Sequence, residues 1–221
     1  MAHIYIALVD TPGLFARIIR RVIGQRYIHV ALGLDPFLDE AYSIGRRHPA
    51  VPLIAGFERE EKEKILRVFP SAEYLIYRME CTEEQKKFVE ERLRDAMENR
   101  FRYHYAVAGL PFILWKIPFY QKDHYTCSSY IAKLLEEAGI CRWDKHFSLV
   151  TPRDFMEYEK KEFFFEGSLR DLVRAERQGY AAGRLILHQA ASPFSCPVEQ
   201  TVCTDAVYPG TVYSGVTAYE R

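Results

Sequence analysis

The sequence carries none of the compact signatures that announce a metal or nucleotide site. It has no C-x-x-C pair, no H-E-x-x-H, no Walker loop and no G-x-S-x-G, so the usual residue sets for structural zinc, zinc peptidases, P-loop enzymes and serine hydrolases are missing. No cofactor or metal is expected. Net charge is absent too: Lys+Arg and Asp+Glu both number 30. Without a net field to steer it onto a polyanion, the chain is not expected to bind nucleic acid. The one basic run, "RIIRRVIGQR" from Arg17 to Arg26, reads as the solvated side of an amphipathic helix.

Long hydrophobic runs are scarce. The greasiest stretch, "YAVAGLPFILWKIPFY", is cut by Pro111, Lys116 and Pro118 and is too short to cross a bilayer. The N-terminus, "MAHIYIALVDTPG", shows no basic leader, apolar core or small-residue cleavage site. Cysteines are few and odd in number, at 81, 127, 141, 196 and 203, with no regular spacing. Reduced thiols and a cytoplasmic location are the expectation.

What is present describes a globular chain. At 221 residues, with 48% hydrophobic and 27% charged content, it can bury one good core. Residues 3–9 read as a strand, and "TPGLFARIIRRVIG" as a helix from Thr11 to Gly24 with Pro12 at its first position. "RYIHVALGLD" and "EAYSIG" read as a hairpin around Asp35 and Pro36. After a loop rich in Pro, His and Arg come "LIAGFERE" and a clear strand, "SAEYLIYRME". Thr82 and Gln85 form a capping-box pattern at the start of the helix "TEEQKKFVEERLRDAMENR". A second helical segment is expected from about His104 to Trp115, then a helix opening at Cys127, a short one opening at Thr151 and Pro152, and a last strand in "KEFFFEG". The sum is an α+β domain over residues 1–185, an antiparallel sheet packed against helices. Residues 186–221, low in charge and rich in Ser, Thr and Pro, read as a poorly ordered C-terminal tail.

The stretch "DHYTCSSYIAKLLEEAGI", residues 123–140, poses the chemical question. Ile131, Leu134, Leu135 and Ala138 form one apolar face, and Gly139 supplies the stop. Cys127 lies one turn before Ile131. It is either a small buried residue or a thiol at a positive helix end. A free thiol with a pKa near 8.5 is only a few per cent ionised at neutral pH, and a helix terminus lowers its pKa by about one unit. A neighbouring imidazolium is needed for the rest. Of seven histidines, His29 is the distinctive one: in "YIHVALGL" it alternates away from Ile28, Val30, Leu32 and Leu34 and shares its face with Tyr27, Ala31 and Gly33.

Taken together, "YIHVALGLD", "YTCSSYIAKLLEEAGI", "LVTPRDF" and "FFFEGSLRDL" resemble the circularly permuted branch of the NlpC-type papain-like amidases and peptidases, the YiiX-like group, over residues 3–173. Ordinary papain-like enzymes place the cysteine before the histidine, whereas here His29 precedes Cys127, the order expected after permutation. The resemblance implies a permuted papain-like fold with Cys127 as nucleophile and His29 as general base, then proton donor. The Cys127 N–H would help to hold the oxyanion. A third polar residue orients the imidazole in such sites. Here Glu40 and Ser43 are the alternatives for it. Tyr103 and Tyr105 are candidates for lining a substrate pocket, core packing being the other reading for both.

Three functions follow as expectations. The first is a thiol hydrolase that cleaves an amide bond in a small peptide or cell-wall-type fragment. The second is acyl transfer or thioesterase-like hydrolysis on a lipid, with peripheral membrane contact through the apolar segment. The third is a binding module that keeps the fold without turnover.

Overall fold

The computed structural model describes residues 1–12, 24–47, 55–106 and 109–179, together with Arg17, Arg20 and Arg21. Most of the helix expected over 11–24 lies outside the described residues, as do the tail and the domain boundary at 185. The strands are β1 (Ala2–Asp10), β2 (His29–Gly33), β3 (Ala41–Arg46), β4 (Ala55–Arg59), β5 (Glu73–Cys81), the two-residue β6 (His104–Tyr105) and β7 (His124–Tyr125), and β8 (Glu162–Ser168). The helices are α1 (Lys62–Val68), α2 (Glu83–Glu98), α3 (Leu110–Leu114), α4 (Cys127–Glu137), α5 (Pro152–Glu157) and α6 (Leu169–Arg177), with 3-10 turns at Arg100–Arg102 and Phe147–Leu149. Six strands form a wholly antiparallel sheet in the order β4-β3-β2-β1-β5-β8, while β6 and β7 pair in parallel apart from it. The mixed α+β class with an antiparallel sheet is as expected.

β1 takes the middle because its sequence is apolar on both faces. Only His3 and Asp10 of its nine residues are not buried, and a strand of that kind needs cover on both sides. It pairs with β5 along its whole length, from Ala2↔Cys81 to Asp10↔Glu73. On one face Ile4, Ile6, Leu8, Val30, Leu32, Ile44 and Phe57 pack against Val89 and Leu93 of α2, Ile131, Leu134 and Leu135 of α4, and Phe155 of α5. On the other face Tyr5, Ala7, Val9, Ala31 and Tyr74 pack with Phe164 of β8 and with Leu169 and Leu172 of α6. α1 adds Ile65 and Leu66 to that second layer. Neither α1 nor α6 is among the expected elements, because both are short and mostly charged.

Helix starts follow their caps. Thr82 and Gln85 form the expected capping box of α2. Thr151 and Asp154 form another at α5, with Pro152 in the first turn. The helix expected over 104–115 is a correction. His104 and Tyr105 are strand, and the helix is only Leu110–Leu114. Pro111 has no N–H to donate and is tolerated only in a first turn, and Lys116 at φ 56° ends the run.

One irregularity prepares the site. β2 and β3 pair only at Leu32↔Tyr42 and Gly33↔Ala41, after which β3 stays with β4 as far as Arg46↔Ala55. The sheet is therefore open beside the first residues of β2, where His29 and Val30 stand.

Candidate active site

Thr126 fixes where the cysteine stands. Its hydroxyl accepts the Ser129 N–H at 3.1 Å, and Ser129 Oγ accepts the Thr126 N–H at 2.9 Å. This capping box makes Cys127 the first residue of α4. Ser128 is tied as well, its Oγ donating to the Val150 carbonyl at 2.6 Å. The thiol thus leaves a backbone anchored on its C-terminal side at two successive side chains. It is 4% exposed. The Cys127 N–H, one of the unbonded donors that a helix start leaves, has no hydrogen-bond partner among the described residues.

The Cys127 sulfur and the His29 ring stand close enough to shift each other's titration. They meet at the opening between β2 and β3. There the backbone N–H groups of Val30 and Ser128 also favour the ionised sulfur. On its other side the ring donates from Nε2 to Glu60 Oε1 at 2.5 Å. Because an imidazole carries its two nitrogens on different edges, Nδ1 is the one left for the sulfur. Glu60 is held in turn by Ser43, whose Oγ donates to the same oxygen at 2.6 Å. The bond from the Glu60 N–H to the Ala41 carbonyl, 2.8 Å, carries the chain after β4 back alongside β3. Side-chain exposure is 24% for His29 and 14% for Glu60, so the row Ser43, Glu60, His29, Cys127 is sheltered yet reachable at the ring.

The electrostatics run one way. Burial alone would lower the His29 pKa, but the Glu60 carboxylate and the Cys127 sulfur outweigh it and hold the imidazolium up to about 10. Burial would raise the Glu60 pKa, and the charge and hydrogen bond of His29, with that of Ser43, bring it below the usual range. Burial would also raise the thiol pKa. The charge of His29, its hydrogen bond and the two backbone N–H groups overcome this and lower it. A carboxylate, an imidazolium and a thiolate in a line stabilise one another, which supplies the activation that a helix terminus alone lacks. By contrast burial pushes the Cys141 pKa up to about 12, against the lowering effect of Tyr158, and the thiol stays protonated at neutral pH.

The other expected residues fall differently. Glu40 does not reach the ring: it is exposed, its N–H bonded to Asp35 Oδ2 at 2.7 Å and its carbonyl to the Leu34 N–H at 2.9 Å. It closes the β2–β3 turn. Ser43 is fully buried and acts on Glu60, not on the ring. Tyr103 lies among core aromatics, with ring centroids 5.7 Å from Phe57 and Tyr130 and 6.2 Å from Tyr125. Tyr105 is half-buried against the same core. Glu60 is the residue that sequence reasoning passed over. Its only local mark is an acidic end to the strand "AGFERE", which many surface strands share.

Among the described residues no cluster of three His, Cys, Asp or Glu side chains is arranged to hold a metal, and no helix is long and apolar enough to cross a membrane. A cleft of about 660 Å³, lined by Arg142, Trp143, Lys145, Asp154 and Tyr158 among others, follows the far end of α4 and contains none of the site residues. No protein-family model, curated protein or solved structure matches the chain.

Proposed function

We propose that the chain is a cysteine hydrolase of the permuted papain-like kind, cleaving an amide bond in a small peptide or cell-wall-type peptide. The observation that carries this proposal is the row Glu60–His29–Cys127, with the ring hydrogen-bonded to the carboxylate, the imidazolium raised and the thiol lowered. The thiolate attacks the scissile carbonyl carbon, the C=O pair moves onto oxygen, and the Cys127 N–H donates to that oxyanion. His29 gives its proton to the leaving amine as the tetrahedral intermediate collapses to a thioester. The neutral imidazole then takes a proton from water, which attacks the thioester, and the acid leaves as the thiolate reforms. Glu60 keeps the ring oriented and charged, and Ser43 keeps Glu60 in place.

A second reading uses the same three side chains on an acyl chain of a lipid. It is favoured by one observation, the exposed apolar turn around Trp115 that precedes α4.

Alkylation by iodoacetamide at neutral pH tests the pair. Cys127 is expected to react fast, and His29→Ala to slow it by about tenfold or more, since most of the sulfur returns to the thiol form. Equal rates in the two proteins would sink the hydrolase. A burst of acyl-enzyme on an activated ester, lost in Cys127→Ala, separates turnover from a binding module on the same fold.

A further inference from the structure

Eight large apolar side chains are exposed among the described residues, and four of them fall between positions 114 and 120: Leu114 at 54%, Trp115 at 68%, Ile117 at 49% and Tyr120 at 42%. They stand on a built turn. Phe112 and Phe119 stack beneath it with centroids 4.6 Å apart and planes 11° apart. The Trp115 and Ile117 N–H groups bond back to the carbonyls of Pro111 and Phe112 at 3.2 and 2.9 Å. Lys116, between them, adopts φ 56°, a left-handed conformation that costs a non-glycine residue about 1 kcal/mol or more. The Phe119 N–H bonds to Ser148 Oγ at 3.3 Å, and the hydroxyls of Tyr120 and Tyr125 meet at 2.9 Å, so the turn is fastened to the body near α4. Local strain is thus accepted to hold three aliphatic and indole side chains in water, the opposite of what folding alone favours.

The charge around the turn is one-sided. From Gly109 to Lys122 there is no acidic residue, while Lys116 and Lys122 are both exposed. The next acid, Asp123, is engaged by Arg102 at 3.5 Å. A tryptophan and a tyrosine among aliphatics, flanked by lysines, is the composition that settles at the headgroup level of a bilayer. A second copy is a poor occupant, since an isologous contact would set these cationic faces against each other.

We propose that the turn Leu114–Tyr120 docks the protein on anionic membrane surfaces, with Leu114, Trp115 and Ile117 entering the interface and Lys116 and Lys122 meeting acidic headgroups. The proposal stands independently of the thiol chemistry. Sedimentation of the full chain with vesicles tests it. Binding is expected to vesicles of phosphatidylcholine and phosphatidylglycerol in equal amounts, to weaken with added salt, and to be slight on phosphatidylcholine alone. The triple variant Leu114→Ser, Trp115→Ser, Ile117→Ser is expected to bind the mixed vesicles about tenfold more weakly or worse. Lys116→Glu with Lys122→Glu is expected to lose affinity for the mixed vesicles only. Both variants should keep the native circular dichroism and Cys127 alkylation rate. Wild-type protein left in the supernatant with both kinds of vesicle overturns the proposal, and so does a triple variant that binds like wild type. A dimer that the triple variant abolishes, without vesicle binding, assigns the turn to a second copy and also overturns it.

Discussion

An imidazolium placed between a carboxylate and a sulfur is held by both, so removing either neighbour moves the titration of the others. Glu60→Gln takes away the charge that does most to raise His29. The imidazolium then deprotonates at lower pH, while at the acid end the thiol still ionises beside a charged imidazolium. The pH range in which thiolate and imidazolium coexist is expected to shrink from its alkaline end, read as a narrower plateau in alkylation rate against pH. A profile superimposable on wild type would mean that the Glu60 charge is not felt at the sulfur. Ser43→Ala removes one donor from Glu60 and is expected to act in the same direction, more weakly. Glu40→Gln, on a turn carboxylate that does not meet the ring, should leave the profile unchanged.

α4 is positioned by chemistry at its two ends and packing along one side. Thr126→Ala removes the cap hydroxyl, leaving the Ser129 N–H without its partner, and is expected to cost about 1 kcal/mol in urea unfolding. It should also slow alkylation, because Cys127 is seated by the same capping box. Leu135 is fully buried between α4 and the sheet, while Glu136 is exposed. Leu135→Ala is expected to destabilise by about 2–5 kcal/mol, whereas Glu136→Ala should stay within about 0.5 kcal/mol. Equal losses from the two would contradict the packing of this helix. Elements like α4 and α2 were legible in the sequence because their caps, stripes and stops lie within a few residues of one another. The short α1 and α6 were not, since their few apolar residues gain meaning only against the second face of the sheet.

The stability of the molecule carries the signature of the same three groups. His29 is raised from an ordinary 6.5 to about 10. By itself it contributes stability that is full below 6.5 and lost as pH rises through 10. Cys127 is lowered from an ordinary 9.0. Its contribution is present above 9.0 and lost as pH falls through the depressed value. Between 6.5 and 9.0, and above the depressed pKa of Cys127, the folded pair, imidazolium with thiolate, holds as many protons as the unfolded pair, imidazole with thiol. The two slopes cancel there, and the pair makes unfolding free energy flat in pH. Above 9.0 the unfolded thiol also deprotonates, and stability falls toward 10. In Cys127→Ala, with Glu60 still holding the imidazolium, the decline is expected to begin near 6.5, seen in urea midpoints measured across the range. A plateau kept intact in that variant would mean the two groups do not titrate as a pair.

Local rules specified much of this protein directly. The capping box of Thr126 and Ser129 starts α4 at Cys127, alternation sets His29 apart from the aliphatic face of its strand, and β1 is apolar enough on both sides to belong in the centre. These depend on interactions a few residues long, so neighbouring side chains record them. The identity of the carboxylate at His29 depends instead on how β2, β3 and β4 close on one another. Glu40 is eleven residues from His29 and Glu60 is thirty-one, and nothing near either one tells which will arrive. The β3–β4 register and the opening beside β2 bring Glu60 and the sulfur to the ring, because contacts between distant segments are decided by the whole sheet at once.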